Sequence, residues 1–300
     1  FGHFVPGTIK DAIPRYQSMK GKRVIRRFGW DCHGLPVESE MEKTIGVSGH
    51  ANIIDYGVAK FNSECKSIVL RYTAEWKKAI TRMGRWVDFD NGYRTMDKNY
   101  MESVWWVFKT LYDKGLIYEG YNVLPYSPKL ASPLSNMEVS LGGYKDVVDQ
   151  AVTVRFLEDG TTDTYFLAWT TTPWTLPSNL ALAVGPDIDY IKVRDKESGE
   201  YYILAEHLIS KYYKNADDYE VVEHYKGTDL VGKGYTPLFP YFKDLKKLGA
   251  FSVVTADYVT VEDGCGIVHT ASGFGVDDYN TMKNKLPNVP VICPVDEECK

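Results

Sequence analysis

The feature that most constrains this chain is a change of hydrophobic period near residue 149. Upstream, apolar residues recur at helical spacings over long runs. Downstream they fall into short runs separated by turn signals. A chain of 300 residues that carries both textures in sequence reads as two domains of ordinary size. The expected division is 1–148, mixed α/β, followed by 149–300, mostly β.

In the first part, Lys22 to Phe28 alternates Val24 and Phe28 with basic residues, which predicts a strand running into a turn-rich segment from Gly29 to Pro36. Two long amphipathic helices follow. One carries Phe61, Ile68, Tyr72, Trp76, Ile80 and Met83; the other, capped by Asp97, carries Met101, Val104, Trp105, Phe108, Leu111 and Tyr112 and stops at Gly115. Both apolar stripes are expected in the core. In the second part, strands are predicted at 151–156, 164–171, 190–193, 201–204 and 251–254, with turns such as Glu158-Asp159-Gly160 and Glu197-Ser198-Gly199 between them. The sequence contains no internal repeat and no low-complexity tract.

Hydrophobic residues at 44% and charged residues at 25% exclude wholesale disorder. A net charge of −5 argues against a protein that coats nucleic acid through its overall field. A local basic face remains in Lys20, Lys22, Arg23, Arg26 and Arg27, which reads either as a solvated strand edge or as a nucleic-acid contact. Five cysteines without a Cys-x-x-Cys pair point to reduced thiols and a cytoplasmic setting. No run approaches the ~20 apolar residues of a membrane helix, so no membrane partner is expected. The chain opens at Phe1 rather than Met, and the true N-terminus, with any targeting signal, is expected upstream.

Two segments of the first part carry chemistry. Gly2-His3 stands before a helical pattern, where backbone and an imidazole can approach a phosphate. Gly29-Trp30-Asp31-Cys32-His33-Gly34-Leu35-Pro36-Val37-Glu38 packs Trp, His and acids into one turn-rich run. A buried Asp31 flanked by Trp30 and His33 is suited to hold an ammonium group through a charge-assisted hydrogen bond; the plainer reading makes Trp30 core and Asp31 a cap. Cys32 and His33 are adjacent, with no second ligand pair spaced for zinc, so no metal is expected.

Two segments of the second part do likewise. Residues 169–179 hold Thr170, Thr171, Thr172, Thr175, Ser178 and Asn179 at the end of a predicted strand. Their hydroxyls can bind a ribose, a carbonyl or water, although threonine is also simply good strand chemistry. Residues 264–278 form a Gly-rich turn, an apolar strand, His269, a flexible loop, and Asp277 and Asp278, which alone read as acids at a helix start.

Together these segments resemble class I aminoacyl-tRNA synthetases of the isoleucyl type. The likeness runs from Gly2-His3 through residues 29–38, Pro125-Tyr126 and Pro133-Leu134-Ser135-Asn136-Met137-Glu138-Val139 to the C-terminal end. It implies an incomplete Rossmann-type catalytic domain followed by an inserted editing domain, short of its last elements. The implied activity is ATP-dependent activation of isoleucine, with Mg2+, and transfer to the isoleucine tRNA, with hydrolysis of mischarged valyl-tRNA. His3 and Asp31 would be catalytic, His3 on ATP and Asp31 on the amino-acid ammonium. Gly2, Trp30 and His33 would complete the adenylate site. In the editing pocket, Asp278 would bind the ammonium, while Thr170, Thr171, Thr172 and Thr175 would serve the terminal adenosine, the ester and the water. His269 would limit side-chain size and Asn179 would support the pocket. The implied partners are the isoleucine tRNA, isoleucine and valine, acting on a monomer.

A second pocket has an energetic reason. One methylene in a hydrophobic pocket is worth about 1–3 kcal/mol, and the isoleucine–valine pair is itself the known illustration of that limit. Three departures from the family stand out. The first His of the His-x-Gly-His signature would precede Phe1. No Lys-Met-Ser-Lys-Ser loop occurs, so adenylate formation by this chain alone is not expected. Ser127-Pro128-Lys129-Leu130 stands where many bacterial members carry Cys-x-x-Cys, so no zinc is expected there. Valyl and leucyl enzymes and a free-standing deacylase are the competing readings. Trp174-Thr175-Leu176-Pro177 disfavours the first two, and the retained Gly2-His3 and Asp31 the third.

Overall fold

In the computed structural model, which describes residues 2–140, 145–297 and 299–300, the Gly2-His3 pair runs directly into helix α1 (Phe4–Met19). Phe1, which opens that motif, lies outside the described residues. Pro6 sits in the first turn of α1, where its missing N–H costs no helical hydrogen bond. Gly21, at φ +77°, closes the other end with its N–H on the Ser18 carbonyl. Strand β1 (Arg27–Trp30) follows, then α2 (Leu35–Ile45), α3 (His50–Tyr56), α4 (Val58–Val69), α5 (Thr73–Arg82), β2 (Asp88–Arg94) and α6 (Lys98–Asp113). β1 and β2 pair in parallel across the intervening helices. This is the strand–helix–strand arrangement from which doubly wound nucleotide folds are built.

Three expectations for this unit need correction. The strand predicted from Lys22 begins only at Arg27, because pairing with β2 starts at Arg27↔Asp88 and the Arg26 side chain turns instead to Pro14 O and Ser18 Oγ. The first long helix is two, broken at 70–72, where Thr73 Oγ1 donates to the Leu70 carbonyl. The apolar stripes are only partly core: Phe61 and Ile80 are buried, but no residue of α6 is, and Trp105 and Phe108 are 68% and 57% exposed. Asp97 and Gly115 do bound α6 as read from the sequence.

The chain divides into two units, one holding residues up to Gly120 with Lys129–Ala131, the other Tyr121–Pro128 and Ser132–Lys300. The second contains a small hairpin, β3 (Tyr126–Ser127) with β4 (Ser132–Pro133), the short helix α7 (Asn136–Ser140), and a large mixed sheet. The sheet uses β5 (Val152–Leu157), β6 (Thr164–Thr170), β7 (Ala181–Val184), β8 (Asp189–Asp195), β9 (Tyr201–Ala205), β10 (Tyr219–Lys226), β11 (Ser252–Thr255) and β12 (Ile267–Thr270). Short helices α8 (Ile209–Tyr212) and α9 (Gly227–Leu230) and the longer α10 (Val276–Lys285) connect or flank them. The order is β10-β8-β9-β6-β12-β7-β11, with β5 on the other side of β6. β6 gives its first half to β9 and its end to β12, which curls the sheet.

The core of this unit is the sheet itself. Phe156, Phe166, Phe251, Tyr190 and Tyr235 are fully buried, and the two tyrosines satisfy their hydroxyls. Tyr190 donates to Gly266 O at 2.6 Å, and Tyr235 donates to Asn179 Oδ1 at 2.6 Å. One pairing brings the chemistry-bearing segments together. β12 runs parallel to β6 with Val268 opposite Trp169, so both strands release their next residues at the same edge. The Thr-rich run and the His269–Asp278 segment therefore meet there. β7 lies antiparallel to β12 with Thr270 opposite Ala181, which brings Asn179 to the same place.

Candidate functional site

The first unit carries a cavity of about 480 Å³ lined by His3, Gly7, Lys10, Gly29, Trp30 and Asp31, with Arg27 and Arg85 also on its wall. His3 is the cap residue of α1, and its ring meets Trp76 edge-on at 5.6 Å. Gly29 has a steric reason: a Cβ there would lie 2.4 Å from Cζ of Tyr93. The wall combines a helix start, three cations and one carboxylate, donors that suit a triphosphate and an ammonium.

Asp31 is exposed, not buried as expected. The extended period of two places Cys32 inward instead, with its N–H on Thr95 Oγ1 at 2.9 Å, and turns Asp31 toward the open side. His33 lies apart from His3, Trp30 and Asp31, in a neighbouring cavity of about 260 Å³ with Cys32, Glu38 and Cys65. In the basic cluster, Arg26 is held by α1, while Lys20, Lys22, Arg23 and Arg27 are exposed. Among the described residues no group of three or more His, Cys, Asp or Glu is placed to hold a metal ion.

The second unit gathers the other predicted residues at the β6–β12 edge. Thr170 ends β6 and accepts the Thr172 N–H at 3.0 Å, and its Oγ1 lies 3.2 Å from Thr172 Oγ1. A 3₁₀ turn over Pro173–Ser178 then brings Thr175 Oγ1 to 2.7 Å from His269 Nε2. On its other side the His269 ring meets Asn179 Nδ2, 3.3 Å from Nδ1. Thr175, Asn179 and His269 are buried, whereas Thr171 and Thr172 are exposed. Trp174 projects outward and packs edge-on against Phe274 at 5.2 Å.

Burial sets the electrostatics. It pushes the His269 pKa down to about 4, so the ring is neutral near neutral pH. It pushes the Asp278 carboxyl above its ordinary range, while the Ala271 N–H on Oδ2 at 2.8 Å pulls the other way. Among the described residues Asp278 Oδ1 has only a long contact, 3.5 Å, with the Tyr258 hydroxyl. That oxygen is the one available to a cation.

Sequence reasoning missed Tyr235 and Tyr258. Both lie in irregular segments between strands, where no period or motif marks a residue, and both reach the site through side chains alone.

Residues 1–266 match the family described as tRNA synthetases class I (I, L, M and V). Curated relatives named isoleucine–tRNA ligase include that of Treponema denticola, 53% identical with 100% of this chain and 30% of that protein covered. Another, from Protochlamydia amoebophila, is 54% identical with 99% and 28% covered. The cytoplasmic protein of Mus musculus is 51% identical with 99% and 24% covered. The chain thus spans between 24% and 30% of the length of these relatives. Similar solved structures include the editing domain of P. falciparum cytosolic leucyl-tRNA synthetase, at 18% identity and TM-score 0.35, covering 41% of this chain and 47% of that one. The corresponding domain from P. knowlesi has 13% identity and TM-score 0.38, covering 49% and 67%. With an α/β unit built on a parallel strand pair and a mostly β unit later in the sequence, the chain belongs to the class I tRNA synthetases of the isoleucine, leucine, methionine and valine group.

Proposed function

We propose that this chain is part of an isoleucine–tRNA ligase and that its second unit hydrolyses valyl-tRNA made in error. One observation carries the editing reading: the 2.7 Å contact of Thr175 Oγ1 with His269 Nε2, which joins two motifs 94 residues apart in one buried wall. Half-identical relatives bearing that name support the isoleucine assignment.

Residues 1–148, which take in the first unit and the hairpin β3–β4 with α7 from the second, would form the N-terminal part of the nucleotide-binding domain. His3, Lys10 and the start of α1 would meet the phosphates of ATP, which arrives with Mg2+, and Asp31 would hold the ammonium of isoleucine. Trp30 would line this site with Gly2 beside it, and His33 would act from the adjoining cavity. Five free thiols, two of them buried, suit a reducing cytoplasm, and among the described residues no helix is long and apolar enough to cross a membrane.

Residues 149–300, which lie within the second unit, would form the editing domain, and there Asp278 Oδ1 would take the ammonium of the misattached valine. Thr170, Thr171 and Thr172 would hold the terminal ribose and the water. That water attacks the ester carbon, and the ribose oxygen leaves with a proton. No covalent nucleophile is required. Fixed hydroxyls at the oxyanion and a positioned water supply the acceleration. His269 would close the side-chain end of the pocket.

The test is hydrolysis by this chain of valyl-tRNA against isoleucyl-tRNA, both on the isoleucine tRNA. Valine is expected to be released preferentially; equal release of both, or of neither, counts against the reading.

A further inference from the structure

The pocket wall is a continuous hydrogen-bonded series whose protons can all be placed. It ends on two backbone carbonyls, which only accept. Asn179 Nδ2 lies 2.9 Å from Ala181 O, so the amide must present its NH2 to that side. Its oxygen then faces Tyr235, whose hydroxyl donates to Asn179 Oδ1 at 2.6 Å. The second Nδ2 hydrogen points at His269 Nδ1, 3.3 Å away, and that nitrogen must therefore be the bare one. A neutral ring with Nδ1 bare carries its proton on Nε2. It donates to Thr175 Oγ1 at 2.7 Å, and the Thr175 proton goes to Thr172 O at 2.8 Å.

We propose that Tyr235 is a positioning residue of this pocket. With Asn179 it fixes His269 as the Nε2–H tautomer, so that the imidazole orients the Thr175 hydroxyl and does more than fill space. Tyr235 is itself held firmly. Its ring packs edge-on against Phe156 at 5.2 Å and Phe251 at 6.0 Å, and its N–H donates to Phe251 O at 3.0 Å. Its hydroxyl is therefore aimed by the core of the sheet. If the ring carried its proton on Nδ1, two donors would face each other across the Asn179 contact, and Thr175 would have to turn its own proton from Thr172 O toward Nε2. The exposed Thr172 hydroxyl, 3.2 Å from Thr170 Oγ1 and 3.4 Å from Thr175 Oγ1, continues the series to the open side of the wall.

The tautomer is read directly by nitrogen NMR of the chain labelled in its imidazoles; six histidines keep the spectrum simple, and His269→Gln identifies the signal. The wild type is expected to show a protonated Nε2 and a bare Nδ1. Tyr235→Phe, which keeps the ring and removes the hydroxyl, releases one side of the Asn179 amide. Its His269 shifts are expected to move toward a mixture of tautomers. The valyl-tRNA hydrolysis kcat should fall roughly fivefold to tenfold, the rate equivalent of one neutral hydrogen bond, with KM unchanged. Asn179→Asp, which replaces the donor by an acceptor, is expected to draw the proton to Nδ1. A bare Nε2 in the wild type, or a Tyr235→Phe protein with unchanged shifts and kcat, overturns the proposal. The rate comparison rests on the editing reading and the shifts do not: wild-type shifts as expected with no hydrolysis of valyl-tRNA would sink that reading and leave the tautomer standing.

Discussion

Replacing His269 by glutamine removes the group whose protonation should govern how the second unit tolerates acid. Burial holds the folded pKa at about 4, against an ordinary 6.5. The folded state therefore binds fewer protons than the unfolded state between those values. The stability linked to this neutral ring is fully present above about pH 6.5, and it is lost as pH falls toward about 4. At about 1.4 kcal/mol per pH unit the whole effect is about 3 kcal/mol, of which about 2 kcal/mol is gone by about pH 5. Asp278 acts with the opposite sign, because a carboxyl raised in the folded state favours folding as protons are added. The quantity to measure is thus the difference between wild type and His269→Gln. Urea unfolding in steps from about pH 7.5 to about pH 4 should show the two stabilities converging by about 2–3 kcal/mol as pH falls. Parallel curves would mean that His269 is not desolvated in the folded state, and the neutral-ring account of the pocket would fail with it.

Asp278→Ala should lower valyl-tRNA hydrolysis at least about a hundredfold, since the ammonium loses its charge-assisted partner, while unfolding temperature changes little or rises; unaltered hydrolysis would discard that assignment. Phe156→Ala should cost about 3–5 kcal/mol in denaturant unfolding, because the side chain is fully buried, whereas Trp105→Ala, at an exposed position of this chain, should stay within about 0.5 kcal/mol. Gly29→Ala should cost about 1 kcal/mol or less, because the Tyr93 ring it meets is half exposed and can swing aside, and adding Tyr93→Ala should recover part of that loss; strictly additive costs would show that the contact is not the cause.

The mostly β second part was legible because its strands are short runs rich in β-branched and aromatic residues and its turns carry Gly, Asp and Ser. The five predicted strands appear at β5, β6, β8, β9 and β11 within a residue or two. The Thr-rich run and the His269–Asp278 segment were readable as chemistry, but nothing local announces that β6 and β12 lie in parallel, and that pairing is what assembles the wall. Three things were hidden for physical reasons. The exposure of Asp31 follows from the phase of the extended chain after Trp30. The exposed face of α6 cannot be told from a core stripe by spacing alone. Tyr235 acts through one hydroxyl delivered from an irregular segment. A pattern records which faces are apolar; it does not record which neighbour covers them or which single atom reaches across.

The parallel pairing of β6 with β12 also sets the order in which this protein can be made. A hairpin closes as soon as its second strand leaves the ribosome, but the wall here waits for Ile267–Thr270, long after Thr170 has emerged. Until then the end of β6 presents unpaired backbone on the side that β12 will occupy. A nascent chain stopped between those two strands would hold most of the sheet and no pocket. The wall is therefore assembled late and as a whole, and a partly made chain holds no half-built version of it.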